Sequence, residues 1–492
     1  MSNNAEIFID EFGNIHEQAA ELGRGGQGVV FRTRDPDVAI KLVLDANGLP
    51  MEPGSLRERL RAVRLLPVPQ NLHLSMPAAI LRDKAGYAMR LLNDMVPFKH
   101  FWLGGSDVAA NGGSDIPDWL AGVPEAVARE LTHYVNTGGL RRRLLALYKC
   151  SAILGRLHAA GLVYGDVSPA NAYISRNHGS RAVWMIDADN LRFETDGVGP
   201  GVYTPGFGAP ELVQGFDGGR PRTDCHAFAV MAFWMLTLQH PYLGDYVENG
   251  PSADWADDDA DQGDLTEKAY AGLVPWIDDD DDESNATTKG LPRALVLTEE
   301  LRTLFQEAFG PGRVHPWRRP VIFHWPYLLA KALDSTVSCL ACRMSYYDDF
   351  NDSQQKCPYC GAGRPAMLRA TDLKRDDSVQ PMPRWSWSHH LHEKECEALS
   401  IPHRLFYPFS IADGDQDFLE ITMKKDAIIL RRPDHLGQQA LTMTVDGSGH
   451  GEFINLTTSM TLPERVKTHG FTVRVDGDPS RQVAFNFEEA IP

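Results

Sequence analysis

The sequence predicts an α+β protein of several domains, and three observations support this fold class. Apolar residues alternate around a glycine-rich turn near the N-terminus, which predicts a small sheet. A helical repeat of apolar residues follows near position 150, and short alternating runs fill the chain from about Ile401 onward. Because 492 residues are too many for one hydrophobic core, we expect a mixed part first and an all-β part last.

The composition is that of a folded protein without a membrane span. Hydrophobic residues make up 43% of the chain, and no apolar run reaches the length of a transmembrane helix. The N-terminal residues Met-Ser-Asn-Asn-Ala-Glu lack the basic and apolar regions of a signal peptide. We therefore expect a cytoplasmic protein with no membrane partner.

The net charge of −18 is concentrated in one acidic insert, residues 252–285. Between Ser252 and Glu283 there are thirteen acidic residues and one lysine, so this stretch contributes −12 and leaves −6 for the rest of the chain. Such a composition is typical of a solvated, mobile loop, and a docking or autoinhibitory segment for basic partners is the alternative. A calcium loop is disfavoured because Gln262 occupies the position that requires glycine.

The glycine-rich turn has the pattern G-x-G-x-x-G-x-V. Glycines allow a hairpin backbone to approach a triphosphate, with free N–H groups facing the phosphate oxygens. The residues that follow the turn favour a strand, whereas the dinucleotide-binding version of this motif opens a helix. Alone the motif is weak evidence, and a plain glycine-rich turn is the simpler interpretation. Its residues are Gly23, Gly25, Gly26, Gly28 and Val30.

A second strand is predicted at Val38-Ala-Ile-Lys, where Lys41 stands at the strand end. An isolated lysine is usually a solvated cation, but after a glycine-rich hairpin it is a candidate phosphate ligand. A helix is predicted to open at Ser55, and Glu58 lies in its first turn. Ser55 and Glu58 also match a capping box, in which the glutamate caps its own helix.

The sequence Tyr-Gly-Asp-Val-Ser-Pro-Ala-Asn at 164–171 predicts a loop that returns into a strand. Asp166 and Asn171 in this loop can place a carboxylate beside a substrate hydroxyl and an amide oxygen beside a metal ion. The next buried strand, near 182–186, ends at Asp187. A carboxylate at a strand end supplies the hard oxygen that Mg²⁺ prefers.

These motifs, together with Ala209-Pro-Glu further on, come in the order found in protein kinases. The chain resembles divergent bacterial Hanks-type (eukaryotic-like) kinases over about residues 15–335. The resemblance implies a bilobal protein-kinase-like fold, with an N-lobe over residues 1–96 and a C-lobe over 97–335 that contains the acidic insert.

The resemblance also implies an ATP- and Mg²⁺-dependent (or Mn²⁺-dependent) phosphotransferase acting on a protein hydroxyl. Serine or threonine is preferred to tyrosine on base rate alone. Asp166 would orient the attacking hydroxyl, Lys41 would bind the phosphates, and Asn171 and Asp187 would hold the metal. The helix glutamate that pairs with the lysine would be Glu58, or otherwise Glu52. The implied ATP-binding residues are Gly23, Gly25, Gly26, Gly28, Val30, Ala39, Lys41, Glu58 and Met89, the last in the strand that enters the hinge.

Several positions depart from the kinase pattern. Tyr164-Gly replaces His-Arg, so activation by a phosphate in the activation segment is not expected. Ser168 stands where these kinases place a lysine against the γ-phosphate. Asp189 stands where the family has glycine; it is either a further metal ligand or a turn residue, and the turn is favoured. Asp224 is expected to tie down the 164–171 loop or to cap its own helix, and Arg318 or Arg319 is expected to pair with Glu211.

The form of these motifs is most similar to kinases encoded beside TerY-like von Willebrand A proteins and PP2C-type phosphatases, which implies those two proteins as partners. A second hypothesis keeps nucleotide binding without transfer, in a pseudokinase scaffold that assembles a signalling complex. A small-molecule kinase fits the full glycine loop and the Ala-Pro-Glu motif less well.

Two Cys-x-x-Cys pairs predict a zinc ribbon over residues 336–366. Cys339 and Cys342 are followed, after fourteen residues, by Cys357 and Cys360. Four thiolates at this spacing can surround one structural Zn²⁺ with no open position. The loop between the pairs contains Tyr-Tyr-Asp-Asp-Phe-Asn-Asp, an acidic run that disfavours a nucleic-acid partner.

The remaining chain is interpreted as a linker over residues 367–400 and a β-sandwich-like interaction domain over 401–492. The linker is rich in Trp, Ser and His. In the last domain, turn residues such as Asp446-Gly separate short alternating runs. These runs are 418–423, 427–430, 441–445, 453–456, 471–475 and 482–487.

Overall fold

The structure is a computed structural model. The residues that it describes are 6–25, 28–45, 47–49, 51, 54–102, 116–194, 201–250, 265–349, 352, 355–373, 383–391, 396–406, 417–424, 427–436, 440–445, 453–463, 465–476, 478 and 481–491. They form two compact units. The first comprises Met1–Trp102, Lys149–Gly290 and Arg302–Phe323, and the second comprises Leu103–Tyr148, Leu291–Leu301 and His324–Pro492.

Helices and strands are numbered in chain order. The α-helices are α1 (Gly54–Arg64), α2 (Glu125–Asn136), α3 (Gly139–Ala159), α4 (Pro210–Val213), α5 (Pro221–Thr237), α6 (Asp245–Asn249), α7 (Leu265–Tyr270), α8 (Arg293–Val296), α9 (Glu299–Phe309), α10 (Pro311–Val314), α11 (His324–Asp334) and α12 (Val466–His469). The first strands are β1 (Ile7–Ile9), β2 (Ile15–Gly25), β3 (Gly28–Thr33), β4 (Val38–Val43), β5 (Ala79–Ile80), β6 (Gly86–Arg90), β7 (Met95–Pro97), β8 (Leu162–Val163), β9 (Ala172–Ser175), β10 (Val183–Met185) and β11 (Arg192–Phe193). The later strands are β12 (Thr336–Ser338), β13 (Ser345–Tyr347), β14 (Met367–Leu373), β15 (Pro383–His390), β16 (Cys396–Pro402), β17 (Asp417–Lys424), β18 (Ala427–Arg431), β19 (Leu441–Thr444), β20 (Ile454–Leu456), β21 (Ser459–Leu462), β22 (Phe471–Val475) and β23 (Gln482–Glu488).

The first unit opens with a six-stranded sheet of order β1-β2-β3-β4-β6-β5. Because side chains alternate across a strand, the sheet buries different residues on its two faces. Val29 and Ile40 belong to one buried cluster, whereas Ala39 shares the other with Leu56 and Leu60 of α1. Lys41 has the same parity along β4 as Ala39, so it points to the face that α1 covers. The predicted N-terminal sheet is therefore confirmed.

Helix α5 forms the core of the rest of the first unit. Its residues from Phe228 to Leu236 are buried apart from Trp234, as expected for a helix that is apolar all round. The predicted buried helix before the 164–171 loop is α3, which is followed by Gly161 in a left-handed conformation (φ +72°). Short hairpins place the loop and Asp187, because β9 pairs with β10 and β8 pairs with β11.

The prediction of a solvated loop across the acidic insert is wrong for the part that the structure describes. Residues 265–285 contain α7, and Trp276, Ile277 and Asn285 are buried. The Asn285 amide donates to the carbonyl oxygens of Tyr242 (3.1 Å) and Pro275 (2.9 Å). Apolar residues between the two acidic runs therefore tie this segment into the fold. Residues 251–264, including Gln262, lie outside the described residues.

The second unit contains a two-stranded hairpin, β12 and β13, and two antiparallel sheets. The sheets have the orders β15-β14-β23-β22-β19-β20 and β16-β17-β18-β21. The prediction of an all-β part is confirmed, but the prediction of a linker at 367–400 is wrong for the described residues of that range; residues 374–382 and 392–395 lie outside them. Strands β14 and β15 pair along their length, and Trp385 and Trp387 are buried with a serine after each. Ser386 and Ser388 are buried as well, so both faces of β15 are covered at these positions.

No described helix combines the length and the apolar composition needed to cross a lipid bilayer.

Candidate active site and metal centre

Lys41 lies at the centre of a buried ion-pair cluster. Its Nζ is 3.0 Å from Oδ1 of Asp187 and 3.3 Å from Oδ2 of Asp189. The lysine and Asp189 side chains are almost completely buried, and the Asp187 side chain is 20% exposed. Burial lowers the pKa of Lys41, but the charges of the two aspartates outweigh it and raise the pKa above its ordinary value. Lys41 is therefore charged at neutral pH.

Close backbone packing fixes the position of the lysine. A Cβ on Gly28 would lie 2.6 Å from the carbonyl oxygen of Leu42 and 3.1 Å from Cε of Lys41. A Cβ on Gly86 would lie 2.4 Å from the carbonyl oxygen of Lys41. Only glycine can occupy these two positions without moving β4, so they hold the strand that carries the lysine.

Asp187 occupies an unusual backbone conformation at the end of β10. Its φ of 56° and ψ of 43° place it in the left-handed region, which non-glycine residues rarely adopt. A one-turn 3₁₀ helix, Ala188–Asn190, follows and directs Asp189 back to the same lysine. Residues held in such sparsely populated backbone conformations cluster at functional sites.

Asp166 is held by two neighbours in the same region. Thr204 Oγ1 donates to Oδ1 of Asp166 at 2.8 Å, and the Asn171 amide donates to Oδ2 at 3.0 Å. The same amide donates to the Asp166 carbonyl oxygen at 3.0 Å. Burial raises the pKa of Asp166, and the hydrogen bonds from Thr204 and Asn171 oppose this only in part.

Asp224 anchors the 164–171 loop through its backbone. Its two carboxylate oxygens accept hydrogen bonds from the backbone N–H of Tyr164 (2.8 Å) and of Gly165 (2.9 Å). His158 Nε2 also lies 3.0 Å from this carboxylate. The Tyr164 hydroxyl donates to the Ile186 carbonyl oxygen, which joins the loop to the strand end before Asp187. The predicted tie between Asp224 and the loop is confirmed.

A cavity of about 570 Å³ adjoins the ion-pair cluster. Val30, which pairs with Lys41 across the sheet, and Ile186, which precedes Asp187, both line it. Four of the predicted ATP-binding residues line this cavity, namely Gly23, Val30, Ala39 and Met89. Its size is within the range of small-molecule and cofactor sites.

The other predicted ATP-binding residues that the structure describes are not among those that line this cavity. Gly25 and Gly28 face each other across the hairpin between β2 and β3, as a glycine-rich turn before a strand requires. Gly26 lies outside the described residues, as does Glu52. Glu58 is exposed on α1, and in the described part of the chain the ion-pair partners of Lys41 are Asp187 and Asp189. The pairing of Lys41 with Glu58 is therefore wrong. The capping-box alternative involves the Ser55 side chain, which also lies outside the description.

Two contacts of this site do not follow from the sequence motifs. The sequence predicts a turn residue or a further metal ligand at Asp189; the residue lies in the 3₁₀ turn Ala188–Asn190, and its carboxylate also accepts hydrogen bonds from Lys41. Thr204 was not singled out at all, and it binds Asp166 from 38 residues further along the chain. The only sequence signal for the Asp189–Lys41 contact is that Asp189 is acidic and lies two positions after Asp187. No local pattern marks Thr204.

Asp187 and Asn171 carry oxygen donors of the types that a divalent cation such as Mg²⁺ takes. The Asn171 amide nitrogen donates both of its hydrogen bonds to Asp166. The amide oxygen takes no part in these two bonds. Carboxylate and carboxamide oxygens are the ligands that Mg²⁺ prefers. Among the described residues, the Lys41 ammonium group interacts with three carboxylates, those of Asp166, Asp187 and Asp189. A bound cation would neutralise the remaining negative charge.

The Ala-Pro-Glu motif is anchored by the expected ion pair. Arg319 binds Glu211 through two parallel hydrogen bonds of 2.6 and 2.7 Å. The arginine side chain is 1% exposed and the glutamate 12%. Bidentate, buried pairs of this kind hold a fixed geometry. Arg319 is thus the partner, and Arg318 is not.

The second unit contains the four-cysteine cluster that the sequence predicts. The Sγ atoms of Cys339, Cys342, Cys357 and Cys360 all lie within 4.8 Å of one another. Two of the separations, Cys339–Cys360 and Cys342–Cys357, are 3.6 Å, close to the roughly 3.8 Å between thiolates at the corners of a zinc tetrahedron. The cluster can therefore hold a zinc ion.

The two halves of this cluster have the same backbone geometry. In each half the residue after the second cysteine, Arg343 (φ 62°) or Gly361 (φ 73°), is left-handed. Its N–H donates to the carbonyl oxygen of the first cysteine, at 3.0 Å and 2.9 Å respectively. Such repeated tight turns bring both sulfurs of each pair to one side of the turn.

A buried carboxylate ties this ribbon to the larger sheet of the second unit. Asp348, which follows β13, accepts hydrogen bonds from Arg369 Nη2 of β14 (2.7 Å) and Ser388 Oγ of β15 (2.9 Å). The Asp348 side chain is fully buried. A charge in such a position is stable only while its partners remain, so the ribbon and the sheet depend on each other.

The chain matches no protein-family model and none of the curated proteins with which it was compared.

Proposed function

We propose that the first unit is an ATP- and Mg²⁺-dependent protein kinase that transfers the γ-phosphoryl group to a protein hydroxyl, serine or threonine ahead of tyrosine. One observation carries this proposal. The Lys41–Asp187 ion pair of 3.0 Å lies beside a cavity whose lining includes Gly23, Ala39 and Met89. Phosphoryl transfer requires mostly positioning and charge stabilisation, which these groups can supply.

Each polar residue has a distinct role in this proposal. The Lys41 ammonium binds phosphate oxygens, for which it must move from Asp189 toward the nucleotide. Mg²⁺, when bound by Asn171 and Asp187, would neutralise charge on the phosphates. Asp166 accepts a hydrogen bond from the substrate hydroxyl and orients it for attack; Thr204 and Asn171 fix the direction of its two oxygens.

The second unit is proposed to bind partner proteins. A zinc ion held by its four cysteines would be of the closed, four-thiolate type, which stabilises structure and leaves no position for a reacting group. A von Willebrand A-type protein and a PP2C-type phosphatase are the proposed partners, on the resemblance alone.

A pseudokinase scaffold is the second candidate, and the Asp189 contact favours it. The charge of a lysine held between two carboxylates is already compensated before any nucleotide binds. If that contact is not released, the protein would bind nucleotide without transferring phosphate.

Incubation of the full chain with [γ-³²P]ATP and Mg²⁺ tests the proposal, with Asp166→Ala and Asp166→Asn as comparison variants. Label on protein with the wild type, and its loss in both variants, is the expected result. Nucleotide binding without any label transfer would overturn the kinase proposal in favour of the scaffold. The asparagine variant removes the charge and can still accept the hydrogen bond from Thr204 through its Oδ1, although its amide nitrogen cannot accept the hydrogen bond from Asn171.

A further inference from the structure

Several positively charged side chains line the cavity. Arg32, Lys99 and Arg176, here called the cationic rim, all line it. In the part of the chain that the structure describes, none of these three side chains has an ion-pair or hydrogen-bond partner. Lys99 and Arg176 are exposed, and Arg32 is half-buried. The rim thus offers three uncompensated cations to whatever occupies this opening.

The charge of the rim is opposite to that of the chain. Among the ionisable residues that line the cavity, Arg90 adds a fourth cation and Asp94 is the one described acid. Arg90 stacks on Trp184, with its guanidinium carbon 4.8 Å from the ring centre. The net charge of the whole chain is −18, so the positive charge around this cavity is a local feature. Local fields of this kind attract a ligand of the opposite charge.

The rim lies against the loop that carries Asp166. The backbone N–H of Lys99 donates to the carbonyl oxygen of Pro169 at 2.9 Å, three residues after Asp166. Arg176 directly follows β9, the strand into which the loop returns, and its N–H donates to the Asp94 carbonyl oxygen at 2.6 Å. A polypeptide that presents a hydroxyl to Asp166 would place its neighbouring residues near these cations.

We propose that the cationic rim selects protein substrates with aspartate or glutamate residues beside the phosphorylated hydroxyl. This inference rests on the proposed kinase function and adds the chemical class of its substrate. The acidic side chains would pair with Lys99 and Arg176 in solvent, where each contact is weak and sensitive to salt. Several such contacts together give a preference without a rigid pocket.

Transfer to three synthetic serine peptides tests the proposal. They carry glutamate, alanine or lysine on both sides of the same serine. We expect the glutamate peptide to have the lowest KM, and we expect the preference to shrink in 0.5 M NaCl. In Lys99→Glu and Arg176→Glu, its KM should rise on the order of fivefold per variant, the range of exposed charge contacts. The KM for ATP should stay unchanged.

Arg181→Glu is the matched control, because Arg181 is exposed and does not line the described cavity. Equal rates with the three peptides, including no transfer to any of them, would overturn the proposal. So would a rise in the KM for ATP instead of the peptide KM, because that result assigns the rim to an anionic group on the nucleotide. ATP hydrolysis and label transfer to protein are measured in parallel, so failure of the kinase function itself is seen separately.

Discussion

The coupling between Lys41 and Asp189 can be measured by a double-mutant cycle. The variants are Lys41→Met, Asp189→Asn and their combination. Asparagine keeps the shape of the aspartate and removes its charge, while methionine keeps most of the apolar stem of the lysine. If Asp189 holds the lysine, each single variant should lower the local stability of β4, and the double variant should lose less than the sum.

The size of the coupling follows from the geometry. Two unit charges 3.3 Å apart attract by roughly 5 kcal/mol at an effective dielectric constant of 20. Asp187 lies 3.0 Å from the same ammonium group and still neutralises it when Asp189 is removed. Desolvation of the buried charges further reduces the net effect. We therefore expect a coupling free energy of about 2 to 3 kcal/mol.

Hydrogen exchange in peptides that cover β4, followed as a function of urea, reports this local stability in the full chain. Glu58→Gln provides the matched control, because Glu58 is exposed and is not paired with the lysine. A coupling below about 0.5 kcal/mol, within the range of additive sites, would refute the view that Asp189 positions Lys41. A comparable coupling between Lys41 and Glu58 would refute it equally.

Three further predictions follow from the described contacts. Burial lowers the pKa of His158, but its hydrogen bond to Asp224 raises the pKa to about 9. The stabilisation is complete below the unfolded value near pH 6.5 and is lost as the pH rises through about 9, so unfolding free energy should fall by about 3 kcal/mol across this window. His158→Gln should abolish that fall, and an unchanged pH profile in the variant would contradict the assignment. The wild type should bind one zinc ion, measured by atomic absorption; Cys342→Ser should lose it, and the melting temperature of the second unit should fall. The control variant Cys150→Ser should keep the zinc. Zinc retained by Cys342→Ser would exclude the site. The rate of phosphotransfer in Glu58→Gln should stay within about twofold of the wild type, because the described ion-pair partners of Lys41 are aspartates. A loss of about tenfold or more would show that Glu58 contributes to the site.

Residues set by local pattern were predictable from the sequence. The strand lysine follows from the alternation of Val38-Ala-Ile-Lys and the glycine turn before it. Cys339 and Cys360, far apart in the chain, were predictable because metal ligation imposes fixed spacings on thiolates. Arg319 was one of two candidates because the motif containing Glu211 requires a buried cation nearby.

Residues set by tertiary contact were not predictable in the same way. Asp189 reaches Lys41 only because Asp187 adopts a left-handed conformation that turns the chain back toward β4. Thr204 meets Asp166 through a contact that no local pattern encodes. The Trp-, Ser- and His-rich composition around Trp385 predicts a linker, because serines in a sequence do not indicate burial; the structure buries Ser386 and Ser388 beside the tryptophans of β15.

The most direct test of the proposed chemistry compares nucleotide binding with phosphoryl transfer in Asp166→Ala. In the proposed function, Asp166 orients the substrate hydroxyl and is not required for ATP binding. The proposal therefore predicts that the dissociation constant for Mg²⁺–ATP, measured by calorimetry, stays within about threefold of the wild type while single-turnover transfer falls by at least about a hundredfold. Transfer that continues at the wild-type rate in this variant would contradict the proposal.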